Sequence, residues 1–181
     1  MRYILLSLCC LASIHADIKV SLYHLYQDKQ YKEACQEGLK VFNQYRKDEE
    51  FVSLYAFSCL KADQIDRLAV PISTLKNSEE ARSNAAYFSV ILMQKKLLLH
   101  ALIDGYKLTE LKLPKTDHVL SKVYELYSKT NNDRKRSHYS FIDTDNNKVT
   151  YKLYLKNSNH NKKMVIEEFY DTIMTHRHVY W

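Results

Sequence analysis

The apolar positions of this chain fall into three regimes. From Ile4 to Leu11 they form a short, nearly unbroken run, from Ile18 to Tyr127 they recur with helical spacing, and from Tyr139 they alternate with polar residues. In the helical regime Ile18, Leu22, Leu25 and Tyr26 mark one face. A second helix opens at Tyr31 and carries Ala34, Gly38, Val41 and Phe42, with the polar stretch Gln27 to Gln30 between the two. Val52, Ala56, Cys59 and Leu60, the connection Lys61 to Gln64, and Ile65, Leu68, Ile72 and Leu75 repeat that arrangement. Ser78 before Glu79 and Glu80 reads as a helix cap with acids at the positive helix start. A third helical pair is expected to end at Asp104-Gly105, where glycine can take the left-handed conformation. Thr116-Asp117 reads as the cap of a last helix buried through Val119, Leu120, Val123, Leu126 and Tyr127. Helical structure should stop near Lys129.

Beyond Thr130 the alternation of Tyr139 and Phe141, then of Val149, Tyr151, Leu153 and Leu155, predicts strands joined by the turn residues Asp145 to Asn147. Met164 to Ile166, after the polar loop Asn157 to Asn161, supplies a third. The expectation is a small three-stranded antiparallel meander, which needs a covering element to be stable. The fold class is therefore α+β, mainly α. It comprises a leader over residues 1–16, a helical domain over 17–129 and a basic strand-rich tail over 130–181.

The shift that carries the first helix pair onto the second is 34 positions, taking Lys29 to Asp63. On this spacing and both faces the chain resembles the tetratricopeptide repeat family, whose unit is two antiparallel helices stacked into a superhelix. The resemblance covers about half the chain. It implies inward packing by Ile18, Ser21, Leu22 and Leu25, by Val52, Tyr55, Ala56 and Cys59, and by Ala86, Ser89, Val90 and Met93. It also implies a small residue on each second helix, which Ala34 supplies while Leu68 and Leu102 do not. Lys29 and Asp63 stand where the family's turn usually has Gly, no Pro closes the units, and the third unit blurs into Lys95 to Leu99. A bundle of unrelated amphipathic helices is the alternative. The implied groove positions are Lys19, Tyr23, Tyr26 and Gln27, then Ser53, Phe57, Leu60 and Lys61, then Tyr87, Ile91, Gln94 and Lys95. Of these, Tyr23, Tyr26, Phe57, Lys61, Tyr87 and Ile91 are the partner-binding candidates. Aromatic anchors rimmed by Lys and Gln suit a protein partner, and the same stripe would also serve as core.

Arg2, the apolar run and the small Ala16 before Asp17 have the order of a cleavable secretory signal, with the cut expected after Ala16 and the product periplasmic or secreted. The run is too short to span a bilayer, and no integral span is expected once it is removed. Cleavage leaves Cys35 and Cys59 as the remaining thiols in an oxidising compartment, which favours a disulfide over two buried free cysteines. In the repeat frame they sit on neighbouring helices of adjoining units, within bonding reach.

Composition narrows the chemistry. The 181 residues carry 27 Lys and Arg against 21 Asp and Glu and are 46% hydrophobic, an ordinary globular balance. Only 2 Gly and 2 Pro occur, which excludes glycine-rich phosphate loops. No nucleophile elbow or metalloprotease helix is present, so no catalytic residues, metal ligands or cofactor are assigned. Asp143 to Asn147 opens like a calcium loop, but Lys148 stands where Gly is required and Tyr154 where the bidentate Glu belongs, so a hairpin turn is expected. His176 and His178, joined by His160, form only a weak metal pattern at a terminus. Arg134 to Arg136 and Lys162-Lys163 superficially resemble a nucleic-acid surface. With nine basic and six acidic residues from Thr130 onward the excess is small, so no nucleic acid is expected and contact with an anionic membrane face stays open. The function expected is a non-enzymatic interaction scaffold or accessory subunit of a cell-envelope assembly, such as a flagellar or secretion machine. The alternative is a small-ligand or metal binder, or an undetected hydrolase.

Overall fold

A computed structural model of the chain describes residues 18–108, 111–130, 137–158 and 161–181. The leader with its cut after Ala16, Arg134 to Arg136 and His160 lie outside the described residues. The chain divides into two compact units, with the boundary after Ala85.

The first unit is helical. Helix α1 (18–27) leads into α2 (Tyr31–Tyr45), and α3 (Glu49–Lys61) follows. The turn closing α1 has Gln30 N–H donating to Leu25 O at 2.9 Å and Lys29 N–H to Tyr26 O at 3.1 Å. The turn closing α3 repeats it, with Gln64 N–H to Cys59 O at 2.9 Å and Asp63 N–H to Leu60 O at 3.2 Å. Lys29 and Asp63 both take φ 60°. This paired 6→1 and 5→2 bonding around a left-handed residue is the Schellman stop. Two non-glycine residues adopt it here at the spacing the sequence repeats.

Helix α2 buries Ala34, Cys35, Gly38, Phe42 and Tyr45 as one stripe. Gly38 is there for close approach, because a Cβ on it would stand 2.7 Å from Tyr55 Cδ2 on α3. Tyr55 in turn packs on Phe42 at 5.1 Å between ring centroids, and Tyr45 stacks on Phe51 at 4.7 Å. The Cys35 and Cys59 sulfurs, on α2 and α3, are 2.05 Å apart and bonded.

The helix expected over Ile65 to Leu75 is present in two pieces, a 3-10 turn Ile65–Leu68 and the six-residue α4 (Ala69–Thr74). Pro71 has no N–H to donate back to Arg67, so the preceding chain tightens instead of continuing as α-helix. The third unit departs further. In place of a helix pair there is one continuous helix, α5 (Glu79–Asp104), within which the unit boundary falls. Nothing between Ser83 and Leu99 supplies a stop, and Gly105 at φ 70° ends it. By length and composition α5 is also apolar enough to cross a membrane. In the second unit Phe88, Ile91, Leu98 and Ala101 are buried, while Met93 and Ile103 of the same helix are exposed and only 33% of its most apolar stretch is buried.

The second unit continues with α6 (Val119–Ser128), whose Leu120, Val123, Tyr124 and Tyr127 are buried. Its cap is His118 rather than Thr116-Asp117, because His118 Nδ1 accepts from Leu120 N–H at 3.2 Å. Gln94 ties this region together, donating to Pro114 O and to Ser121 Oγ, each at 3.1 Å.

The sheet has four antiparallel strands, not three, in the order β1 (His138–Ile142), β2 (Val149–Ser158), β3 (Asn161–Tyr170) and β4 (Ile173–Tyr180). The fourth strand holds His176 and His178, so these are sheet residues rather than a loose terminus. It is joined to β3 through Asp171 at φ 53° and carries a register shift at Glu168/Phe169. One face buries Tyr139, Phe141, Tyr151, Leu153, Met164, Ile166 and Tyr180, with Tyr127 of α6 edge-on to Tyr139 at 5.0 Å. Asp143 holds the first hairpin, its carboxylate accepting from Asp145 N–H at 2.7 Å, Asn146 N–H at 3.2 Å and Tyr151 O–H at 2.9 Å.

Candidate interaction groove

The first unit contains a cleft of about 530 Å³ lined by Lys19 of α1, by Asp48, Glu49, Glu50 and Ser53 around the start of α3, and by Ser78, Glu80 and Ala81 around the start of α5. The starts of α3 and α5 and Lys19 of α1 therefore converge on it, and its walls are built from capping chemistry. Asp48 caps α3 by accepting from Phe51 N–H at 3.2 Å, and Ser78 caps α5 by accepting from Ala81 N–H at 3.1 Å. Lys19 reaches across from α1 to Asp48 at 2.6 Å and to Glu50 at 3.5 Å. The Asp48 hydrogen bond holds the Lys19 ammonium above its ordinary range, against the opposing effect of desolvation. Partial burial pushes the Asp48 carboxyl up, but the bonds from Lys19 and Phe51 N–H outweigh it and leave the group below the ordinary range.

Glu49 is the anchor of the cleft. Its carboxylate accepts from three successive backbone N–H groups, Lys76 at 2.9 Å, Asn77 at 2.7 Å and Ser78 at 2.9 Å. The Asn77 and Lys76 bonds chiefly bring its pKa down to about 2. An anion here also faces the positive end of α5. Arg82 completes the clasp by donating to Lys76 O at 3.2 Å and Asn77 O at 2.7 Å. Ser53 Oγ accepts from Asn84 Nδ2 at 3.2 Å. The floor is thus fixed by internal bonds, while Glu50 and Glu80 project from the rim, exposed.

The partner-binding candidates fall in both units and differ in exposure. Tyr23 is 51% exposed and accepts a bond from Gln27 at 2.6 Å. Tyr26 is half-buried, edge-on to Tyr31 at 5.2 Å, and burial raises its hydroxyl pKa. Phe57 is half-buried and Lys61 exposed. Tyr87, in the second unit, donates to Asp117 at 2.7 Å. Ile91 is a correction: it is wholly buried, as are Gln94 and Lys95 beside it, so the third set of groove positions is core apart from Tyr87. Lys95 Nζ bonds the backbone oxygen of Trp181. Of the positions implied by the resemblance, Lys19 and Ser53 are the two that line the cleft. Glu49 was not foreseen; the run Asp48-Glu49-Glu50 ahead of an apolar helix was the available signal.

The histidines do not assemble a ligand set. His178 bonds Glu168 at 2.8 Å and holds that carboxyl below its ordinary range, and among the described residues no group of three or more His, Cys, Asp or Glu could hold a metal ion. The calcium-like stretch is the β1 to β2 hairpin, with Asp143 turned onto its own backbone. No protein-family model, curated protein or solved structure matches this chain.

Proposed function

We propose that the chain is a non-enzymatic, exported protein-interaction module, a scaffold or accessory subunit of a cell-envelope assembly such as a flagellar or secretion machine. In this reading its first unit is a short tetratricopeptide-like array. One observation carries it: Lys19 of α1 and the starts of α3 and α5, alternate helices in the chain, line a single cleft, and the two intervening turns share a bonding pattern displaced by 34 positions. Asp48, Glu49, Glu50 and Glu80 line that cleft against Lys19 and Lys47, favouring a partner segment that presents Lys or Arg. The anchoring carboxylate, Glu49, is committed to backbone groups, so recognition falls to the projecting Glu50 and Glu80.

Asp48 and Glu49 in the first unit, and Glu125, Asp143, Asp145 and Glu168 in the second, are all displaced downward. A general acid at neutral pH needs displacement the other way. The test is crosslinking in the native cell envelope. Captured segments should be rich in Lys or Arg and should be lost when Glu50→Lys and Glu80→Lys are combined, with the thermal midpoint held. Undiminished capture by that variant, with loss instead in Tyr23→Ala, would move the site out of the cleft to the exposed side of α1.

A further inference from the structure

The sheet of the second unit has a second face, opposite the one packed in its core. The pairing register places four rows of residues across it. At one end lie Ile142, Thr150, Phe169 and Met174, then Ser140, Lys152, Glu167 and Arg177, then His138, Tyr154, Val165 and Val179. Lys156 and Lys163 follow, with Trp181 beyond β4. Four cations stand against one acid, and that acid is engaged: Glu167 accepts from Tyr154 O–H at 2.8 Å and lies 3.5 Å from Arg177 Nε. Among the described residues no acid pairs with Lys152, Lys156 or Lys163. Two of these lysines lie over aromatic rings, Lys152 over Phe169 at 4.5 Å and Lys163 over Trp181 at 5.0 Å.

Val165 in the middle of this face is covered by its neighbours, while the apolar groups at its two ends project. Ile142 is 64% exposed and Met174 50% at one end, and Trp181 is 59% exposed at the other. Exposed Ile and Met side chains, a rim Trp and lysines laid along aromatic surface suit the boundary of a bilayer. There an indole sits at headgroup depth, apolar tips enter the acyl edge and ammonium groups meet lipid phosphates. A folded acidic partner would be better served by recessed anchors than by side chains as exposed as Ile142, Met174 and Trp181.

We propose that the open face of the four-stranded sheet is a docking surface for an anionic lipid bilayer, with Lys152, Lys156 and Lys163 facing headgroup phosphates and Trp181 at the interface. The proposal rests on the second unit alone and is independent of the groove reading.

Trp181 is the chain's single tryptophan, so its emission reports this face and no other. Added to the full chain, vesicles of phosphatidylglycerol with phosphatidylcholine should shift the emission to shorter wavelength, phosphatidylcholine alone should not, and high salt should reverse the shift. Each lysine near a charged surface contributes about fivefold, so changing Lys152, Lys156 and Lys163 together to Gln should weaken binding about 100-fold, while changing them to Arg preserves it. The three side chains are at or near the surface, and circular dichroism of each variant establishes that the sheet is intact. No shift on anionic vesicles, equal shifts on both vesicle types, or undiminished binding by the Gln variant would each overturn the proposal. So would the same spectral shift with soluble polyglutamate, which would make the occupant an acidic polypeptide.

Discussion

Glu49 concentrates several consequences of one side chain. Its carboxylate accepts from three successive N–H groups of the segment that leads into α5, and so holds the first turn of α3 against that segment. Because its pKa is depressed to about 2, the folded state prefers the ionised form more strongly than the unfolded chain does. The resulting stability is fully present above the ordinary carboxylate value of 4.5 and is lost as the pH falls toward 2. Thermal midpoints of the native chain and of Glu49→Gln should therefore differ most above pH 4.5 and converge toward pH 2. A difference that stays constant over that window would mean the carboxylate charge is not what anchors the segment. Asp48 and Asp143, also displaced downward, act in the same direction on the native curve, so the comparison with the Gln variant is what isolates Glu49.

At the level of elements, the two Schellman turns explain both what the sequence disclosed and what it concealed. Their position was legible because apolar faces on either side fix where each helix must end, and a polar tetrapeptide can only be the connection. Their conformation was concealed because Lys29 and Asp63 occupy left-handed backbone that glycine takes without cost. Lys29→Gly should accordingly raise stability by about 0.5 to 1 kcal/mol, the relief of backbone strain exceeding the added freedom of the unfolded chain. Denaturant midpoints measured with an unchanged slope would establish this, and a loss of stability would show that the Lys29 side chain matters more than its backbone. The same logic accounts for the elements that were misjudged. A 34-residue frame extended past Ser78 demands a turn near Lys95 to Leu99, yet no residue there breaks a helix, and local propensity prevailed to give α5. Strand β4 was hidden for the opposite reason. Its central residues Thr175 to His178 are polar, so no alternating apolar pattern marks it, and pairing with β3 supplies what the sequence does not advertise.

On the scale of the whole molecule, the decisive asymmetry is that covalent reinforcement belongs to one unit only. The Cys35 to Cys59 bond spans a separation of 24 residues and fastens α2 to α3, both within residues 1–85. In the chain-entropy account, closing a loop of this size restricts the unfolded first unit by roughly 3 kcal/mol. The sheet unit has no such bond among its described residues and relies on its four-stranded ladder and apolar face. Stability should then respond to reduction unevenly. Native-state hydrogen exchange with and without reductant should show α2 and α3 amides losing protection by about two orders of magnitude, that being roughly 3 kcal/mol expressed as an exchange rate, while amides of β2 and β3 keep theirs. Uniform loss across both units would mean that they unfold as one cooperative body. Unchanged protection in α2 and α3 would mean that the packing of Gly38 against Tyr55, together with the stacked rings around it, sustains the helical unit without the bond. The first pattern would also fit an exported protein whose groove is secured only after oxidation, since α3, whose start forms one wall of the cleft, is one of the two helices the disulfide joins.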